Sequence, residues 1–253
     1  SEIRLNKGKT YALDVTVTPA DASNKSVTWS SNAKSVATVD ENGVVTGVGN
    51  GVAVITVTTQ DRGIQAKCIV IVTQSVTGVV LNSTSEKISV GNSKALVATV
   101  KPDDSSNKDV KWTSSNPAVA SVNENGVVTA KSAGTTTITV TTDDGGYTAF
   151  CNITVYTPAT GIEISKRKIT IAKGKTALLT ATVLPKNAEN REFKWSTSDK
   201  SIATINAAGQ VTAKKVGTAI ITATSVQGKH KAMCLVEVVQ LATGVSLNYS
   251  SVT

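Results

Sequence analysis

The sequence predicts an all-β protein built from three tandem sandwiches, and three observations carry that prediction. One stretch is written three times: VTWSSNAKSVATVDENGVVTG at 27–47, VKWTSSNPAVASVNENGVVTA at 110–130 and FKWSTSDKSIATINAAGQVTA at 193–213. Short alternations of apolar and polar residues recur between turn signals, the period-2 pattern of half-buried strands. No segment shows apolar residues at helical spacing, and the composition is rich in the Thr and Val that favour strands and the Asn and Gly that favour turns.

The repeat sets the domain count. Trp29, Trp112 and Trp195 lie 83 residues apart, and the same step links Cys68, Cys151 and Cys234, Pro19, Pro102 and Pro185, and Gly43, Gly126 and Gly209. Solenoid units of roughly 20 to 50 residues need their neighbours to bury a core. A unit of 83 residues falls instead in the range of an ordinary domain. The expected domains are 1–75, 76–158 and 159–241, the first without its opening strand. Residues 242–253 read as the first strand of a further repeat, or as a donor strand.

The second copy serves as template. TGVVLN (77–82) and KISVG (87–91) read as short strands. KALVATV (94–100) reads as one longer strand, with Leu96, Ala98 and Val100 on its buried face, matched by Leu13, Val15 and Val17 and by Leu179, Ala181 and Val183. After a proline turn, DVKWTS (109–114) sends Val110 and Trp112 to one side. AVASV (118–122) and GVVTA (126–130) flank NENG, where Asn-Gly predicts a hairpin because both residues tolerate positive φ. GTTTITVTT (134–142) and TAFCNITVY (148–156) pair across DDGG. Seven or eight such strands per repeat point to an immunoglobulin-type sandwich. Trp29, Trp112 and Trp195 are assigned to its structural core, in phase with Val27, Val110 and Phe193.

The segment VTWSSNAKSVATVDENGVVTGVGNGVAVITVTT (27–59) and its two echoes carry a closer resemblance. The pattern is Trp followed by Ser, Thr or Asn, then V-A-x-V, an Asn-Gly turn, G-x-V-T-G/A and a Gly-led I-T-V strand. It resembles tandem bacterial immunoglobulin-like domains of group 2, modules shared with invasin- and intimin-like surface proteins. The third copy departs mildly, with NAAGQVT for NENGVVT. The resemblance implies three tandem immunoglobulin-like β-sandwiches in an extended array, a role at the cell surface, and weak calcium binding as an option.

Chemistry-bearing residues are sparse. Cys68, Cys151 and Cys234 each fall on the last strand of a repeat, in phase with core residues, so they read as buried free thiols acting as small hydrophobes. Such thiols suit a chain that folds in a reducing cytosol. The single histidine, His230, stands beside Lys229 and Lys231 in an expected exposed turn, which leaves a nucleophilic triad without its parts. One His and three dispersed Cys lack zinc spacing. The acidic pairs Asp103-Asp104 and Asp143-Asp144 do not form a dedicated calcium loop. No enzyme activity and no cofactor beyond weak calcium are expected.

Net charge is +8, and it is uneven: +1 over 1–75, −1 over 76–158 and +8 over 159–253. The third copy supplies a candidate polyanion patch of Lys166, Arg167, Lys168, Lys173, Lys175, Arg191, Lys194, Lys214 and Lys215, suited to wall polymers or acidic glycans. The same residues also suit a solvated surface. Few aromatics accompany them, so nucleic acid is not expected as a partner. No apolar run is long enough to span a bilayer. The chain opens on Ser1, as expected of a piece of something longer.

TGVVLNST (77–84) and TGIEISKR (160–167) open the later repeats, and TGVSLNYS follows at 243–250. The spare strand reads either as the start of another repeat or as a donor that completes the first repeat of a second copy. VTQSVTG and VYTPATG leave short linkers, which predict a fairly rigid array. The leading expectation is a non-enzymatic bacterial surface stalk or adhesin segment, contacting neighbouring domains, copies of itself or a host surface protein. The alternatives are a structural subunit of a phage virion or head-to-tail filament, and a wall- or glycan-binding module.

Overall fold

The computed structural model describes residues 1–247. These residues contain strands and no helix. The first repeat holds β1 (Glu2–Asn6), β2 (Thr10–Ala12), β3 (Val27–Ser31), β4 (Ala37–Val39), β5 (Val44–Gly47), β6 (Gly51–Thr59) and β7 (Gln65–Thr73). The second holds β8 (Gly78–Leu81), β9 (Ser85–Ser89), β10 (Ser93–Ala95), β11 (Ala98–Lys101), β12 (Val110–Ser114), β13 (Ala120–Val122), β14 (Val127–Ala130), β15 (Gly134–Thr142) and β16 (Thr148–Tyr156). The third holds β17 (Gly161–Ile164), β18 (Lys168–Ala172), β19 (Thr176–Leu178), β20 (Ala181–Leu184), β21 (Phe193–Thr197), β22 (Ala203–Ile205), β23 (Gln210–Ala213), β24 (Gly217–Ser225) and β25 (Lys231–Val239).

Two compact units result. The first contains Ser1–Glu86, Ser93–Thr129 and Thr135–Ile153; the second contains Lys87–Asn92, Ala130–Gly134 and the chain from Thr154 onward. The third repeat lies wholly in the second unit and shows the architecture most fully. One sheet runs β18-β25-β24-β21, a second β19-β23-β22, and β17 pairs with β20. β18 is parallel to β25, in register Lys168↔Leu235 to Ala172↔Val239, whereas the β24–β25 and β21–β24 ladders are antiparallel. Along β25, Cys234, Val236 and Val238 point inward while Leu235 is exposed. The core they enter includes Ile169, Leu179, Val211 and Ile221. Alternation therefore does what a sandwich requires, giving each strand one buried face.

The first repeat, in the first unit, has the corresponding sheets β1-β7-β6-β3 and β2-β5-β4 around Leu5, Val45, Ile55, Val70 and Val72. In the same unit the second repeat pairs β8 with β11, β10 with β14 and β12 with β15, over a cluster of Val79, Val100 and Val140. Each of these clusters is drawn from one repeat alone.

One local expectation is corrected. The stretch 94–100 is not one strand: Ser93–Ala95 pairs with β14, and Ala98–Lys101 crosses to pair with β8. The break falls at Leu96, whose N–H donates to Gly126 O (3.0 Å), and at Val97, whose N–H donates to Asn82 Oδ1 (2.8 Å). Side-chain phase nevertheless runs unbroken across the break, with Leu96 and Val100 buried and Ala98 half-buried.

The hairpins expected at the turns form, β4 on β5 and β22 on β23, both antiparallel. Only the glycine takes positive φ, at 81° in Gly43, 75° in Gly126 and 83° in Gly209. The first turn residue does the rest: Asp40 Oδ1 accepts from Asn42 N–H (2.9 Å) and Val44 N–H (2.8 Å), and Asn123 Oδ1 accepts from Asn125 and Val127 (3.1 and 2.9 Å). The third copy keeps this Asx-to-Gly spacing through Asn206 and Gly209, with Gln210 N–H donating to Asn206 Oδ1 (3.0 Å). NAAG and NENG thus make one turn, since the residue before the glycine carries no conformational demand.

Candidate functional site

The three tryptophans are half-buried and pack against the edges of the apolar clusters. Each ring lies near its turn glycine: a Cβ on Gly43 would meet Trp29 Cζ2 at 2.7 Å, and one on Gly126 would meet Trp112 Cζ2 at 2.8 Å. Cys68, Cys151 and Cys234 are buried free thiols. Burial pushes the Cys151 and Cys234 thiols above the ordinary thiol range, which keeps them protonated and poorly nucleophilic. A bulky aromatic disulfide reagent at pH 8 is accordingly expected to label almost none of them in the folded chain and all three in denaturant. Fast labelling without denaturant would contradict the burial.

His230 is corrected from an exposed turn residue to a half-buried one. Its Nε2 lies 3.1 Å from Ala159 O, and its backbone N–H donates to Ser225 Oγ (2.9 Å). The ring closes the end of the β24–β25 hairpin over the start of its own repeat.

Backbone contacts at the links repeat with the sequence period. In the first unit, Ser106 N–H donates to Gln74 O (2.9 Å) and Val76 N–H to Asp144 Oδ2 (3.0 Å). In the second, Glu189 N–H donates to Thr157 O (2.9 Å) and Ala159 N–H to Gln227 Oε1 (3.0 Å). Ion pairs add to each. Lys7 Nζ donates to Asp104 Oδ2 (2.6 Å), and Asn50 Nδ2 also donates to Asp104 O. Lys87 Nζ lies 2.8 Å from Glu189 Oε1 and 5.0 Å from the centroid of the Tyr156 ring.

The acidic turns are therefore already engaged. Asp103 takes Lys101 (2.7 Å) and Asp143 takes Lys111 (2.9 Å), while Asp104 and Asp144 hold the donors just named. Among the described residues no group of three His, Cys, Asp or Glu side chains converges.

The hydrogen bond from Lys7 holds the Asp104 carboxyl below the usual carboxylate range. Because the folded value is the lower one, the contribution of this pair is present at neutral pH. It is lost as pH falls through that lowered value. Asp104 is exposed, so the effect on stability is small. Carboxyl NMR titration should show Lys7→Ala moving Asp104 upward towards the ordinary range; an unmoved midpoint would contradict the pairing.

The nine basic positions of the third repeat are all exposed but do not converge. Lys173, Lys175, Lys214 and Lys215 gather at the far end of β18, where Ala213 N–H donates to Lys175 O (3.0 Å) and Gly174 N–H to Ala213 O (2.8 Å). Lys166, Arg167 and Lys168 sit at its near end, and Lys168 is paired with Glu237 (3.0 Å). Lys194 stands in register with Thr224, itself opposite Lys231. Arg191 lies apart, its Nη1 donating to Lys186 O (3.5 Å).

The repeats differ most along one edge. In the later two, β8 and β17 cover β11 and β20, and Val100 and Val183 are buried. In the first repeat Val15–Thr18 forms no ladder among the described residues, Val15 is 43% exposed, and a cleft of about 140 Å³ opens beside Val15, Val17 and Val57. A second cleft of about 180 Å³ shares Val15, Thr16, Val57 and Ala66 with it and reaches Trp29.

Comparison with known families places the repeats. The profile of the bacterial Ig-like domain (group 2) matches residues 1–70, 75–153 and 158–236. The chain belongs to that family. As a run of bacterial Ig-like domains it is similar to an uncharacterized protein of Clostridium acetobutylicum, 40% identical over 157 residues, covering 61% of this chain and 16% of that protein. It is also similar to an Ig-like virion protein of Serratia phage KSP90, 38% identical, covering 58% of this chain and 59% of that one. Ice-binding protein 1 of Shewanella frigidimarina is 30% identical, covering 87% of this chain and 26% of that protein. The chain thus spans 16%, 59% and 26% of these relatives' lengths. Among solved structures, Sidekick-1 immunoglobulin domains 1–4 give a TM-score of 0.44 at 11% identity, covering 94% of this chain and 74% of that one.

Proposed function

We propose that the chain is a non-enzymatic structural segment displayed outside the cell, holding a binding element away from the surface that carries it. The observation that supports this reading is the periodic link: three bacterial Ig-like domains, each with its own core, are joined through the same backbone contacts at both junctions. Repetition of that kind supplies length and valency, while any recognition would fall to loops or to the basic ends of the third repeat. An antibody raised against residues 159–241 tests it. Labelling of intact producing cells, abolished by external protease, is the expected result; labelling only after lysis would overturn it.

A second reading has a specific observation behind it. Three buried, unpaired thiols suit assembly in a reducing compartment, and one relative is named as an Ig-like virion protein. On that reading the chain is a structural component of a phage particle. Co-sedimentation of the epitope with purified particles would favour it over cell-surface display.

A further inference from the structure

We propose that a cleft in the third sandwich, between β17 and the first half of β25, takes an acidic peptide segment of a partner protein as an added strand. The cleft arises from the way this repeat opens. β17 lies antiparallel on β20, in register Gly161↔Leu184 to Ile164↔Ala181. The chain then crosses through 165–167, and β18 joins β25 only from Leu235 onward. Ser165 N–H still donates to Thr180 O (2.8 Å), whereas Arg167 O already accepts from Leu235 N–H (2.9 Å). Among the described residues β25 has no sheet neighbours but β18 and β24. Residues 231–234 are therefore bare on the β18 side. Backbone groups along a strand alternate in direction. Leu235 N–H points towards β18, so Met233, two residues earlier, turns its N–H and C=O the same way with no strand opposite.

Beside that edge lies a cleft of about 460 Å³, lined by Ile162, Glu163, Ile164, Arg167, Lys231 and Met233. Four residues of extended chain, roughly 13 Å, would cover the bare stretch. Met233 is 54% exposed and offers apolar surface to such a segment. Charge selects the occupant. Glu163 is the one carboxylate of the lining, and Arg167 and Lys231 are exposed and in no ion pair among the described residues, whereas the adjoining Lys168 is taken by Glu237 (3.0 Å). Lys166 adds a further cation: burial pushes the Cys234 thiol up, and the Lys166 charge acts against that push. Free main-chain groups match a peptide backbone, and the cations beside them match its acidic side chains.

The second sandwich makes the same change of sheet without the charge. Asn152 N–H donates to Thr84 O (2.9 Å), as Leu235 N–H does to Arg167 O. The 83-residue step puts Val80, Thr84, Thr148 and Phe150 where the third repeat has Glu163, Arg167, Lys231 and Met233. An acidic segment is thus selected by the third sandwich over the second. The inference goes beyond display outside the cell and does not rest on it.

A peptide of sequence EVEVE with blocked ends, titrated into the whole chain and followed by amide proton–nitrogen NMR, tests it. The amides of Met233 and Arg167 should shift, and those of Phe150 and Thr84 should not. R167E/K231E should weaken binding by at least about tenfold. K214E/K215E, the same change of charge at the far end of β18, should leave it unaltered. All four side chains are exposed, so folding is not at risk. The same peptide N-methylated on every internal amide keeps its charge and loses its main-chain donors, and should bind at least about tenfold more weakly. Unmoved Met233, equal weakening by the two double variants, or undiminished binding of the methylated peptide overturns the proposal. So does a heparin hexasaccharide that moves the same peaks at lower concentration, which would make this a site for acidic glycans.

Discussion

Replacing Gly209 with Ala is expected to destabilise the third sandwich by roughly 3 kcal/mol. Two costs combine. At φ 83° an L side chain sits in the left-handed region, which alone costs on the order of 1 kcal/mol. In addition, the new Cβ would lie 2.1 Å from Leu179 O, a backbone atom that cannot swing aside. That carbonyl lies at the turn where β19 gives way to β20, and Leu179 N–H itself donates to Gly209 O (2.9 Å). The substitution therefore pushes apart two segments that the turn holds together. Gly174 is the control, at φ 80° with nothing within 4 Å of a built Cβ; Gly174→Ala should cost only about 1 kcal/mol. Calorimetry separates the two. For a domain of this size the first change lowers the melting temperature by on the order of 15 °C and the second by about 5 °C. Equal shifts would contradict the steric part of the argument.

Ile221→Ala is the second large effect, at about 3–4 kcal/mol. Ile221 is fully buried at the centre of β24, in register with Cys234 on β25 and Thr197 on β21. Truncation removes apolar contacts and leaves a cavity between two sheets that cannot collapse onto it. Its neighbour Ile220 points outward and is 41% exposed, so Ile220→Ala should change stability by less than about 0.5 kcal/mol. The contrast between adjacent residues reads the strand phase directly. The buried substitution should lower one melting transition and leave those of the first two repeats in place.

Much of this fold is legible in the sequence because period and phase are carried by side chains. The 83-residue step, the inward phase of Cys234, Val236 and Val238, and the turn glycines are all visible without coordinates. The break at Leu96–Val97 is not, because a strand that changes hydrogen-bonding partner keeps the same face inward and leaves no mark in the alternation. The turn chemistry is legible only in part. Asn-Gly is a strong local signal, yet the atoms that hold the turn belong to Asp40, Asn123 and Asn206. His230 lies beside two lysines in sequence, and only the folded hairpin carries its ring to Ala159 O.

The candidate sites were legible to a smaller degree. Charge counting found the basic repeat but not its geometry, because Lys166 and Lys173 sit at opposite ends of β18, whose five residues span roughly 17 Å. The cleft beside Val15, Val17 and Val57 is a property of packing, which a strand pattern does not encode.

The central claim is that each repeat is a sandwich with a core of its own, and the third repeat tests it most directly. Residues 159–241 would be produced alone and their amide proton–nitrogen NMR spectrum laid over that of the whole chain. The account predicts a dispersed spectrum whose peaks coincide with the third-repeat peaks of the whole chain, apart from those near Lys87 and Thr157 contacts. A collapsed spectrum would contradict it, showing that the core of one repeat is not sufficient to hold the fold.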